Sequence, residues 1–164
     1  MIVEQWRAQL PDLDSSPLLV LGRIERLAAV CDPILRPPFA AAELAPGDFD
    51  VLAALRRTVP PHALSNGEIA RATLVTPGAV TKRIDRLVNA NLVTRTRDPR
   101  DARGRVVSLT KHGRRLADNL IRVHMANEAA ILQALDNHER RQLDSLLGKL
   151  LASVEARVVC APSE

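Results

Sequence analysis

Aromatic side chains are nearly missing from this sequence. Trp6, Phe39 and Phe49 are the only three in 164 residues, and there is no tyrosine. A platform for single-stranded nucleic acid stacks bases on several exposed rings, so that class is excluded. An aromatic-rich β-sandwich is disfavoured for the same reason. Cysteine is scarce too: Cys31 and Cys160 stand far apart and cannot alone build a zinc knuckle or a disulfide framework. No apolar run approaches the roughly 18 residues needed to span a bilayer. Met1 to Leu10 lacks the basic start and apolar run of a signal peptide. A soluble, reduced, cytoplasmic protein is expected. No glycine-rich phosphate loop or nucleophile motif occurs. His62, His112, His124 and His138 show no metal-ligand spacing and read as surface histidines. No catalytic residue, metal or cofactor is therefore expected.

What is present suits one globular domain: 46% apolar and 26% charged residues. The net charge of +4 hides a strong asymmetry. Residues 65–114 carry 11 Lys and Arg against 4 Asp and Glu, and the other 114 residues carry 12 against 15. A basic middle between slightly acidic flanks is the footprint of a polyanion-binding module, although a solvated charged face gives the same count.

Periodicity predicts a mostly helical chain. A short amphipathic helix with Val3, Trp6 and Leu10 on one face ends at Pro11. Asp14-Ser15-Ser16-Pro17 offers an N-cap and first-turn proline for a long apolar helix, which Pro33, Pro37 and Pro38 should kink or interrupt. Pro46-Gly47-Asp48 opens a helix with Phe49, Leu52 and Leu55 as its buried stripe, and Thr58 to Ala63 reads as a loop. Ser65-Asn66-Gly67-Glu68 is a capping box for a helix to about Ala72. Thr76-Pro77-Gly78 starts another, apolar at Val80, Ile84, Leu87 and Val88, and Asn91 suits its left-handed C-terminus. Strands are expected over 92–97 and 105–109 around a polar loop at 98–104. Thr110 caps a long helix with a seam of Leu116, Leu120, Val123, Asn127, Ala130 and Ala134. Asp136 to Glu139 resembles another capping box, before a last helix carrying Leu143, Leu147, Leu150 and Val154.

Two short helices joined by a turn and followed by a hairpin make a winged helix-turn-helix, whose second helix reads DNA. Its outer face would be Pro77, Gly78, Thr81, Lys82, Asp85, Arg86 and Asn89. With Thr76 and Arg83 beside this face, and Arg100, Arg103 and Arg105 at the hairpin, it forms the candidate contact set for double-stranded DNA. An arginine at a wing tip can enter the minor groove.

The sequence resembles the MarR transcriptional regulators. The match lies in Phe49-Asp50-Val51-Leu52, Ser65 to Ala70, Val80 to Leu87, Leu92-Val93-Thr94-Arg95, Asp98 to Arg103 and Leu109 to Gly113. Ala102 and Asn91 depart from it, where many relatives carry arginine and glycine. The resemblance implies a fold of mostly α (α+β) type: N-terminal helices over 1–45, a winged DNA-binding lobe over 46–109 and C-terminal helices over 110–164. It also implies a homodimer built by the terminal helices, a palindromic operator, and repression relieved by a small molecule.

The extra N-terminal helix and its Trp are similar to the urate-responsive branch of that family, the HucR and PecS type. The resemblance implies a ligand site of Trp6, Asp50, Arg57 and Arg95. The chemistry suits a purine anion: an aromatic face, two planar cationic donors and one acceptor. Asp50 and Arg57 are seven apart and share a helix face. Each residue also has a plainer reading: Trp6 as a core anchor, Asp50 and Arg57 as an ion pair, Arg95 as a phosphate contact. Urate is the expected effector, with related purines and aromatic acids beside it. Redox sensing at Cys31, a cysteine expected in the core, is the alternative. An enzyme acting on a small anion through Asp50 and the two arginines is the remaining one.

Overall fold

The computed structural model describes residues 2–60, 62–73, 75–99 and 101–160, with the side chains at 2, 77, 101–103 and 158–160 left aside. The chain forms two compact units, Met1–Met125 and Ala126–Glu164.

The first unit opens with α1 (Ile2–Gln9), α2 (Pro17–Leu35) and the short α3 (Pro37–Ala41). The turn before α2 differs from expectation. Ser16 makes no side-chain cap. Instead the Asp14 carboxylate accepts from the Ser16 N–H and hydroxyl, both at 3.0 Å. Those two donors hold the Asp14 carboxyl below its ordinary pKa. Pro33 lies inside α2 without ending it; the break falls at Arg36, before Pro37. No residue of α2 is buried, so Cys31 is half-buried rather than a core residue.

A lobe of three helices and three strands follows: α4 (Asp48–Arg57), β1 (Ala63–Ser65), α5 (Asn66–Thr73), α6 (Pro77–Asn89), β2 (Val93–Asp98) and β3 (Asp101–Leu109). α4 enters through Gly47, whose φ of +80° is a left-handed angle that glycine adopts freely. The three strands form one antiparallel sheet in the order β1-β3-β2. Strand β1 is not expected; it starts on the last residue of the expected loop and runs into the Ser65 cap, pairing Ala63 with Ser108 and Ser65 with Val106. The hairpin is also longer than expected, closing with Asp98 opposite Asp101.

The core sits inside this lobe. Val51, Leu52 and Leu55 of α4, Ile69 of α5, and Val80 and Ile84 of α6 are fully inaccessible to solvent. Transfer of side chains this size from water contributes roughly 1.5–3 kcal/mol each. α7 (Lys111–Ile131) closes over them with Ala117 and Leu120. Leu120, a member of the expected α7 seam, is therefore part of the single-chain core. Thr110 caps α7, accepting from the Gly113 N–H at 2.9 Å. The seam expected to reach Ala134 stops earlier, because residues 132–134 form a 3-10 turn.

The second unit is dominated by α8 (Asn137–Cys160). Its start is a reciprocal capping box: Asp136 Oδ1 accepts from the Glu139 N–H at 2.9 Å, and Glu139 Oε2 from the Asp136 N–H at 2.8 Å. Leu143, Leu146, Leu147, Leu150, Leu151 and Val154 of α8 stay exposed. Among the described residues no helix is long and apolar enough to cross a membrane.

Candidate functional site

The recognition elements are set by local chemistry. Ser65 and Glu68 cap α5 reciprocally: Glu68 Oε2 accepts from the Ser65 N–H at 2.7 Å, and the Ser65 hydroxyl from the Glu68 N–H at 3.3 Å. Thr76 caps α6, accepting from the Ala79 N–H at 3.4 Å. Nothing stands within 4 Å of where a Gly78 side chain would begin, so the N-terminal end of α6 is open to close approach. Thr81 and Lys82 are exposed beyond it, and the Asn66 amide donates to Thr81 Oγ1 at 3.3 Å. Arg105 is exposed on β3. Arg100, and the Pro77 and Arg103 side chains, lie outside the described residues.

Two arginines of α6 have inward partners as well as outward positions. Arg86 makes a two-pronged contact with Asp48: Nη2 to Oδ1 at 2.6 Å and Nε to Oδ2 at 3.2 Å. The contact raises the Arg86 pKa above its ordinary value. Arg83 Nη1 donates to the Gly47 carbonyl at 3.3 Å and lies 3.9 Å from Asp50. At the root of the wing, Arg95 Nη2 stands 2.7 Å from Asp85 Oδ1 of the same recognition helix. No sequence rule signals these partners, because Asp48 and Arg86 are 38 residues apart.

Beside α4 lies a cavity of about 390 Å³, whose lining includes Phe49, Asp50, Arg57, Thr73, His124 and Met125. Arg57 is steadied by the Ala72 carbonyl, which accepts from Nη2 at 2.8 Å. Its other guanidinium N–H groups add donors beside the mostly apolar wall. Phe49 stacks on Phe39 at 4.2 Å, and His124 packs edge-on to Phe49 at 5.1 Å. Of the four residues implied for the ligand, the cavity gathers Asp50 and Arg57. Trp6, 44% exposed on α1, and Arg95 are not in its lining. His124, a surface histidine by spacing, is half-buried in this ring cluster. Its position on the inner face of α7, one residue after Val123, was the available signal. Among the described residues no group of three or more potential metal ligands converges.

A capped two-helix reader with an antiparallel wing, resting on a core beside a mostly apolar cavity that holds Asp50 and Arg57, defines a winged helix-turn-helix regulator. The MarR family profile matches residues 43–104. The chain is 36% identical over 149 residues to the HTH-type transcriptional regulator PecS of Dickeya dadantii (strain 3937), covering 91% of this chain and 90% of that one. It is 32% identical to the HTH-type transcriptional repressor Rv2887 of Mycobacterium tuberculosis, covering 84% and 95%. Among solved structures it is similar to a mutant MarR from E. coli complexed with operator DNA, with a TM-score of 0.70 and 26% identity over 89% of this chain and 97% of that one. It is also similar to Bordetella bronchiseptica BpsR, whose DNA binding is regulated by 6-hydroxynicotinic acid, with a TM-score of 0.71 and 27% identity over 80% and 91%. The chain belongs to the MarR family and is a DNA-binding transcriptional regulator, not an enzyme. The likeness to PecS supports the branch that the N-terminal helix and Trp6 suggested.

Proposed function

We propose that the protein is a homodimeric repressor of a palindromic operator, released by a small flat anion of the urate or aromatic-acid class. One observation carries the reading: Asp50 lines the cavity with Arg57 and also lies 3.9 Å from Arg83 of α6. A ligand in the cavity thus acts on a residue that touches the recognition helix. Arg57 attracts the anion with a planar guanidinium that can donate in two prongs. Asp50 repels it unless it accepts a ligand N–H, so binding displaces the Asp50 carboxylate. Arg83 loses a neighbour, and one of the restraints that α4 places on α6 is relaxed. Trp6 and Arg95 join the ligand in this reading, Trp6 as a ring face and Arg95 as a second cation. The aromatic acid that regulates BpsR belongs to the same chemical class.

An effector shifts DNA affinity only by its differential affinity for two conformations, usually about 1–3 kcal/mol. Saturating urate should therefore weaken operator binding by about 5- to 150-fold. The test is calorimetry with urate and 6-hydroxynicotinate, followed by operator titration with each binder. Arg57→Ala should lose binding, and Asp50→Asn should keep binding while losing part of the release. Parental binding by Arg57→Ala, or release without any cavity ligand, would remove the site.

A further inference from the structure

We infer that Asp48 and Arg86 form a positioning pair: Arg86 orients the recognition helix through Asp48 and is not itself a reader of DNA. Arg86 sits on the outward face of α6, where an unpartnered guanidinium would reach a phosphate or a base. Its geometry says otherwise. Nε and Nη2, two adjacent donors of the fork, are both spent on the Asp48 carboxylate, at 3.2 and 2.6 Å. The Asp48 side chain is only 4% exposed. A carboxylate that far from water needs its partner, because removal of one member leaves an uncompensated charge. Its third hydrogen bond, from the Ala45 N–H at 3.2 Å, fixes it on the turn that begins α4.

That anchor is rigid. Three and four residues further along α4, Val51 and Leu52 are fully inaccessible, so Asp48 cannot follow a moving α6 without disturbing the core. On α6, Lys82 and Gly78 lie one and two turns before Arg86 on the same face. The contact therefore sets the direction in which Lys82 and the open Gly78 end are aimed. Arg83 adds a second tie to the same turn through the Gly47 carbonyl at 3.3 Å. Two ties three residues apart, nearly one turn, resist rotation of α6 about its own axis, which a single tie would allow.

The inference rests on DNA binding by this chain, so the parent dimer is titrated first, against a duplex selected from random sequence and against an unrelated duplex. Asp48→Asn, Arg86→Gln, Arg86→Lys and the Asp48→Asn/Arg86→Gln double variant follow, each with a thermal melt. The expected result is about a tenfold loss of specific affinity in Asp48→Asn and in Arg86→Gln, with no further loss in the double variant. Non-specific affinity and the salt slope should stay at parental values, because no phosphate contact is removed. Arg86→Lys should lose a similar factor, since an ammonium cannot reproduce the fork. Unchanged or tighter specific binding by Asp48→Asn alongside weak binding by Arg86→Gln would overturn the inference, showing Arg86 to be a direct contact. A salt slope reduced by about one in Arg86→Gln would do the same. If Asp48→Asn does not fold, Arg86→Lys decides alone: a phosphate contact predicts near-parental affinity and a parental specific-to-non-specific ratio. A parent that binds no duplex would instead overturn the DNA-binding reading itself.

Discussion

Arg95 of β2 and Asp85 of α6 meet at 2.7 Å, so the root of the wing and the recognition helix are joined by charge as well as by chain. Asp85 is half exposed and the Arg95 side chain 29% exposed, and a pair this open to solvent contributes little to stability, about 0.2–1 kcal/mol. Asp85→Asn should therefore lower stability by under about 1 kcal/mol in a denaturant titration. Arg95→Ala should blunt the response of operator binding to urate. A full response in Arg95→Ala would exclude it from the ligand site.

Trp6 allows a cleaner separation. It lies on α1, outside the sequence of the reader, and no residue of α1 is buried among the described side chains. Trp6→Ala should leave operator affinity nearly at the parental value without ligand. It should weaken urate binding in calorimetry, by about 0.5–1.5 kcal/mol if the ring stacks on the purine. Parental urate affinity would place the site elsewhere.

At the wing, Arg103→Ala should weaken operator binding by on the order of 1–3 kcal/mol, the scale of an arginine at a base site. The dimer should remain intact. A gel-shift titration with unchanged affinity would strike Arg103 from the contact set.

Gly113 tests the packing of α7 on the lobe. A Cβ at this position would stand 1.9 Å from the Leu92 carbonyl oxygen, a backbone atom that cannot swing aside. Gly113→Ala should destabilise the protein by about 1–3 kcal/mol or more, as overpacking does. Equal midpoints in urea for parent and variant would contradict this contact.

Assembly is the fifth expectation. Leu21, Leu27 and Ile34 of α2 are each more than half exposed in the single chain, as are Leu146 and Leu151 of α8. Such faces mark association surfaces on otherwise polar proteins. An obligate dimer is expected, with no folded monomer at micromolar concentration. Sedimentation that finds a stable folded monomer would oppose it.

The legible parts of this fold were the local ones. Ser65 with Glu68, and Asp136 with Glu139, are three residues apart, and their reciprocal bonds form as the spacing implies. Asn91 takes the left-handed angle, φ 55°, that its place after α6 suggested. Strand β1 was illegible because three residues cannot display an alternation, and its partners lie some forty positions later in β3. The outer hairpin reads as loop because residues 98–104 hold Pro99, Gly104 and four charged side chains and show no apolar alternation. Within the candidate site, Asp50 and Arg57 share a helix face and were read as neighbours. Asp48 and His124 were missed because tertiary packing, not spacing, brings them to Arg86 and to the phenylalanine rings.

Strand β1 supports β3 only from Val106 to Ser108. Beyond Val106 the hairpin continues as two strands, through the Arg97–Arg105 pair and a register irregularity at Arg97/Asp98. Mechanically this is a cantilever: a clamped three-stranded root carrying a two-stranded beam, which is marginal on its own. A load at the far end bends the beam before it disturbs the root or Arg95. In a DNA complex of the proposed kind, the wing would follow minor grooves of different width while α6 kept its place in the major groove. Differences in spacer sequence between operators would be absorbed by elastic deformation of the beam.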